Sequence, residues 1–335
     1  ASKLPTSGLM TVAHGANLNI DANQSIETLS LSGELGLKSG VTLTQTGAAA
    51  TTIGGTVSGD GTYTFNNSGN VVTWGATLAG FSGEVIAESV SAFNVADPTK
   101  LTMGTFTAKA GQVISLKPSA SATLTSSALK TVGTGKVELN ASQTSDILTL
   151  GGGSNVLNVS NLLVTKGILN LEGDLKSDVA VTNAGTLKVS KDQAMGVLTS
   201  SGTVEILSGK TLTLANTSTI TGIITGAGDI LVDGTLTYGA ATTTGWTGVL
   251  RTTSGSITAP AANLTGTTSI GLGKTVTIDA AGSVSGVING PGAVLITGGA
   301  VEYTGSFGYT GGTSITSGSL KVSVEDKLPR NGVIT

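Results

Sequence analysis

Residues 209–236 and 273–300 of this chain align without a gap at an offset of 64. Ten of the 28 positions are identical, and six more exchange one of Ile, Leu and Val for another. A shorter copy, Ile53 to Gly61, matches Ile220 to Gly228. The shared pattern is apolar-x-Gly-x-apolar-x-Gly-x-Gly. Each copy is followed by Gly-aromatic-Ser/Thr-Gly, at Gly80-Phe81-Ser82-Gly83, Gly245-Trp246-Thr247-Gly248 and Gly308-Tyr309-Thr310-Gly311. A unit that recurs in this way cannot bury its apolar residues alone and stacks on its own copies, which restricts the fold to a repeat architecture.

Within the unit, apolar residues alternate with Thr, Ser, Asp or Asn, as in Thr211-Leu212-Thr213-Leu214. Alternation at period two places one face inside and the other in water. Glycines interrupt it every few residues, where the chain has to turn. From about residue 133 a simpler theme sets in, Gly-x-apolar-x-apolar, as at Gly185-Thr186-Leu187-Lys188-Val189 and Gly202-Thr203-Val204-Glu205-Ile206. Its spacing predicts rungs of roughly 16–20 residues. The fold expected is all-β, a single-stranded right-handed parallel β-helix (β-solenoid). The alternative is a β-sandwich array, for which Asp60-Gly61, Asp233-Gly234, Asn289-Gly290 and Asn331-Gly332 would supply hairpin turns.

One continuous solenoid is expected over residues 1–335. Residues 1–95 form a first repeat region, 96–145 an irregular region with turns at Asp97-Pro98 and Lys117-Pro118, and 146–335 regular rungs with the two 64-residue repeats. Composition agrees with a narrow interior. Aromatic residues are 3% and charged residues 11%, against a usual charged share of about 25%. The net charge of −3, without a basic patch, argues against nucleic-acid binding. Cysteine is absent, which excludes disulfides and thiolate metal sites. No run of 18 apolar residues predicts a membrane helix, so no membrane insertion of this chain is expected.

The aligned glycines Gly55, Gly222 and Gly286 are expected to hold positive φ at equivalent corners. Phe81, Trp246 and Tyr309 occupy one repeat position and are expected to pack over corner glycines or plug a rung; a sugar-binding platform is the alternative. His14 is the sole histidine. It lies in a turn-like Ala13-His14-Gly15 with no nucleophile motif nearby, so an exposed turn residue is expected rather than a triad member. Asp174 with Asp178, and Asp229 with Asp233, could serve as glycosidase acid and base, but they fall beside corner glycines and read as solvated turn residues. Gly151-Gly152-Gly153-Ser154-Asn155 lacks the Asp of a calcium-binding repeat. Asn155, Asn158 and Asn161 suggest a polar ladder instead. No catalytic residue, cofactor or metal is expected, and the chain reads as not an enzyme. The competing class is a polysaccharide-degrading β-helix enzyme.

Tyr309-Thr310-Gly311-Gly312-Thr313, followed by Ile315-Thr316-Ser317-Gly318-Ser319-Leu320, resembles the autotransporter passenger-associated strand repeat. In that repeat a Tyr-Thr-Gly-Gly-Thr core precedes an apolar-x-x-Gly-x-Leu strand. The stretch from Leu4-Pro5 to Asn17-Leu18-Asn19-Ile20 resembles the segment that usually follows it. The likeness is weakest over 96–160. It implies a secreted bacterial surface protein with a β-helical passenger, an adhesin or stalk, located outside the cell or on its surface. Partners in that case are the chain itself, a host or neighbouring-cell surface, or a polysaccharide.

Lys3 to Thr11 matches Lys327 to Thr335 at an offset of 324, with five of nine positions identical. Two readings follow: a segment of a longer tandem passenger, or subunits joined head to tail into filaments. In the second, Leu4, Pro5, Gly8, Leu328, Pro329 and Gly332 form the junction.

Overall fold

A computed structural model describes residues 4–124, 129–151, 158–239, 245–323 and 333–335. Contacts divide the chain into two compact units, Ala1–Lys176 and Ser177–Thr335.

Apart from two longer strands, the first unit is built of strands of three to six residues that follow one another around three sides and pair in parallel with strands of adjacent turns. One side begins with Leu9–Val12, Thr28–Leu31 and Thr51–Ile53. It continues through the second halves of Thr62–Trp74 and Glu84–Val95 to Val113–Leu116, Lys136–Asn140 and Asn161–Lys166. The two long strands bend through a corner and serve two sides each. A second side starts with Asn17–Ile20, Glu34–Leu37, Thr56–Gly59 and Thr77–Phe81. A third starts with Gln24–Ile26 and Thr42–Gln45.

The alternation sets which residues enter the core. Val12, Leu31, Ile53, Trp74, Val95, Leu116, Leu139 and Val164 pair in succession and are all buried. Each turn thus covers the apolar row of the one below. This is why strands too short to be stable alone are stable in a stack. Five rings, Tyr63, Phe65, Trp74, Phe93 and Phe106, fill the centre of this unit with neighbouring centroids 4.3–6.4 Å apart.

The second unit repeats the plan. One side carries Ala180–Asn183, Val197–Ser200, Ser218–Ile220, Thr235–Tyr238, Ser256–Ala259, Thr275–Ile278, Ala293–Ile296 and Thr313–Ile315. Another carries Gln193–Met195, Thr211–Leu214, Asp229–Val232, Val249–Thr252, Thr267–Ile270, Val287–Gly290 and Ser306–Tyr309. On the first of these sides the outward residues Thr182, Thr199, Thr219, Thr237, Thr258 and Thr277 stand in one column, a site where the β-branched side chain suits the pleat.

Both units are therefore parallel β-solenoids. The sandwich alternative fails because its sheets are antiparallel, whereas the strands of both units pair in parallel along every side described above. Helical structure among the described residues is limited to 3-10 turns at Pro98–Lys100 and Ala261–Asn263. The first follows the Asp97-Pro98 turn signal, and the Asp97 carboxylate accepts from Thr99 N at 3.1 Å.

Turns are longer than the sequence spacing suggests. Val181 pairs with Leu198, 17 residues on, but Leu139 pairs with Val164, 25 residues on.

The 64-residue repeat does not stack on itself. Thr211–Leu214 lies in the side that carries Asp229–Val232, and its cognate Thr275–Ile278 lies in the side that carries Ala293–Ile296. The repeat advances three turns and one further side.

Candidate structural site at the corners

The repeat motif builds a corner in which one turn rests directly on the turn below. Phe81 pairs with Gly59, Trp246 with Gly226, and Tyr309 with Gly290. These three glycines have φ of 90°, 94° and 101°, in the left-handed region that a side chain disfavours. They are the second glycine of the repeat pattern. With no side chain beneath them, the three aromatic residues turn inward and are 0%, 8% and 1% exposed. Trp246 also donates from Nε1 to the Gly228 carbonyl at 2.9 Å. Phe81, Trp246 and Tyr309 thus lie buried against the turn below, each paired with a positive-φ glycine.

The expectation for Gly55, Gly222 and Gly286 needs correction. Only Gly55 of the three has positive φ, at 63°. What the three share is close approach. A Cβ on Gly55, Gly222 or Gly286 would lie 2.1, 1.9 or 2.1 Å from the carbonyl oxygen of Gly33, Gly202 or Gly266 in the preceding turn. Those carbonyls accept the inter-turn hydrogen bonds of the next residue along, as in Thr56 N to Gly33 O at 2.9 Å and Ile223 N to Gly202 O at 3.1 Å. The turns approach closely because the corner is hydrogen-bonded across, and only glycine leaves the room. The glycine after each aromatic residue obeys the same rule: a Cβ on Gly83 or Gly248 would lie 1.9 or 1.8 Å from the oxygen of Gly61 or Gly228. Sequence reasoning missed Gly59, Gly226 and Gly290 as the positive-φ partners, although the pattern contained them.

Outward polar residues mostly bind the neighbouring turn. Asp229 meets Arg251 at 3.1 Å and accepts from Val249 N at 2.9 Å. Asp233 accepts from Thr253 and Ser254. The two carboxylates thus act as separate cross-turn links. Asp174 and Asp178 fall in different units. Lys188 pairs with Glu205 at 3.3 Å, and Lys321 with Glu302 at 3.1 Å. Bonds from Ser323 and then Lys321 hold the Glu302 carboxyl below its usual range. Asn161 donates to the carbonyls of Gly133 and Gly135, and Asn158 accepts from Lys176. These two asparagines bond separately, and Asn155 lies outside the described residues.

His14 is exposed, in a turn closed by Ala16 N to Ala13 O at 3.0 Å, with Gly15 at φ 79°. Equivalent turns recur at Lys38–Val41, Lys109–Gln112, Leu207–Lys210 and Gly271–Lys274. Ser39, Ala110, Ser208 and Leu272 take the place of His14 there, so the position makes no chemical demand.

Of the candidate junction residues, Leu4 donates from N to Gln24 Oε1 at 3.0 Å, Pro5 is exposed, and Gly8 has φ 87°. Leu328, Pro329 and Gly332 lie outside the described residues. The adjoining Ile334 bridges Thr313, on the side that continues Thr275–Ile278 and Ala293–Ile296. Its sequence counterpart Met10 pairs with Leu29. Leu9–Val12 is thus a strand, and Ile334 forms an isolated parallel bridge.

The motif that carries the family likeness encloses a buried hydroxyl chain. Tyr303 and Tyr309 oxygens are 3.2 Å apart, and Tyr309 reaches Thr313 Oγ1 at 2.5 Å. Tyr303 stacks on Phe307 at 3.9 Å. Burial pushes the Tyr303 phenol up, and the neighbouring Tyr309 raises it further; burial also raises Tyr309. A folded-state value above the unfolded value of about 10 means that the stability contribution is complete below that pH and is lost as pH rises past it. The melting temperature is therefore expected to hold from pH 7 to 9 and to fall above about pH 10. Tyr303→Phe is expected to make that fall shallower. An identical alkaline fall in the variant would show that Tyr303 does not contribute to it.

Compared with family models, curated proteins and solved structures, the chain matches none.

Proposed function

We propose that this chain is a non-enzymatic structural and adhesive β-solenoid, displayed outside a bacterial cell on its surface. The observation that carries the reading is the corner lattice. Its recurring glycines and aromatic residues, and the carboxylates beside it, take part in contacts between turns, which is the use expected of a scaffold. The passenger-like motif around Tyr309 is built into the same lattice and supports the surface location. Its partners in this reading are further copies of itself, joined head to tail, and a host or neighbouring-cell surface or polysaccharide. The likeness of Lys3–Thr11 to Lys327–Thr335 supports the self-association, as do the strand Leu9–Val12 and the parallel bridge of Ile334 to Thr313.

Immunogold electron microscopy of intact producing cells tests the reading. Label is expected outside the envelope, in evenly spaced strings where copies join. Label confined to the cytoplasm would overturn the surface assignment, and isolated external particles would remove the head-to-tail part alone.

A further inference from the structure

Between Glu84 and Lys166 the first unit departs from even stacking. The pairing of Glu84–Val95 on Thr62–Trp74 shifts register between Ala87 and Ser89 and between Val90 and Ala92. The pairing of Lys136–Asn140 on Asn161–Lys166 shifts between Leu139 and Asn140. The turn lengthens over the same stretch: Val95 pairs 21 residues on with Leu116, Leu116 pairs 23 on with Leu139, and Leu139 pairs 25 on with Val164. Bulges of this kind re-aim side chains and are over-represented beside functional sites. A groove of about 320 Å³ lies between them, at the lower end of the roughly 300–1,000 Å³ of small-ligand sites.

The outward row Asn94, Ser115, Glu138 and Leu163 pairs in succession and lines the groove. Ser115 faces outward yet is only 6% exposed, and its hydroxyl has no hydrogen-bond partner among the described residues. A hydroxyl so buried and unpaired lowers stability; its oxygen is covered in the free chain, and a ligand that displaces the covering side chains and bonds to it would remove the penalty. Gln112 accepts from Val90 N through Oε1 at 2.8 Å, which leaves its amide nitrogen as a donor. Asn94 and Asn140 each bring an amide to the groove lining. Lys117 and Glu138 cancel in charge, and Glu138 is held by Thr165 Oγ1 at 2.6 Å. Val90 and Leu163 supply aliphatic wall.

We propose that this groove binds a neutral sugar unit of a surface glycan, an assignment that rests on the adhesive part of the reading above. Sugar hydroxyls donate and accept at once, as do the Ser115 hydroxyl and the Asn94 and Asn140 amides. The C–H face of a sugar ring suits the aliphatic wall, and a lining without net charge gives an anion no advantage.

Saturation-transfer NMR on the full chain tests the assignment, with methyl glucoside, methyl galactoside and methyl N-acetylglucosaminide as probes and glucuronate as the acidic comparator. Transfer to at least one neutral glycoside, and weaker transfer to glucuronate, is expected. Ser115→Ala is expected to weaken binding about fivefold, the worth of one hydrogen bond, and at the same time to raise the melting temperature. A Ser115 with a merely structural role would lower it. Asn94→Leu is expected to abolish binding with the circular dichroism spectrum unchanged. Absence of transfer to every neutral probe, tighter binding of glucuronate, or parent-like binding by both variants would overturn the assignment. Loss of melting temperature in Ser115→Ala would do so as well. External immunogold label with no sugar binding removes the groove proposal and leaves the surface reading in place; internal label removes that reading whatever the groove binds.

Discussion

Trp246→Ala is expected to lower the stability of the second unit by about 3–5 kcal/mol, the usual range for truncating a large buried ring. For a unit of this size that corresponds to about 10 °C in melting temperature. The ring pairs over Gly226, where the turn below has no side chain. Its removal leaves a cavity that the corner cannot close, because Gly248 and Gly228 are already in contact through backbone. The loss has a second part: the Gly228 carbonyl gives up the indole donor at 2.9 Å. Trp246→Phe separates the two. Phenylalanine holds the equivalent place at Phe81, so its cost is expected to stay near the single hydrogen bond, about 1 kcal/mol. Differential scanning calorimetry of the three proteins decides. Equal losses for Phe and Ala would mean that the hydrogen bond, rather than the packing over glycine, holds the corner.

The second large effect distinguishes two reasons for a glycine. Gly248 is not among the positive-φ glycines, but a Cβ there would lie 1.8 Å from the Gly228 oxygen. Gly209 has φ 71° and nothing within 4 Å of its Cβ position. Gly248→Ala forces two hydrogen-bonded turns apart and is expected to cost about 3 kcal/mol, at the upper end for overpacking. Gly209→Ala pays only the left-handed backbone term, about 1 kcal/mol. Urea denaturation of both variants measures the difference. A larger loss at Gly209 would show that backbone conformation, and not the spacing of the turns, is what the corner glycines protect.

The sequence determined the fold class. Period-two alternation is a local property: each residue's face follows from the pleat, so the buried row from Val12 to Val164 could be anticipated strand by strand. Turn chemistry was equally local, and it placed His14 in an exposed turn. The repeated Gly-aromatic motif also marked the positions that lie at the corners. Tertiary structure alone decided how the turns fall on one another. Registry depends on the sum of residues around three sides, corners included, and no single side reveals it. The 64-residue copies consequently lie one side apart instead of in a column, since the three sides offer a strand nearly the same surroundings. The split between glycines that need positive φ alone, such as Gly209, and those that need an absent Cβ, such as Gly222 and Gly248, has the same origin. The contact that forbids a side chain comes from a carbonyl about 20 residues earlier in the chain, brought close by the stacking. The groove at Ser115 arises likewise from register shifts in two pairings and from the lengthening of the turns between them, where the sequence showed only that its repeat had weakened.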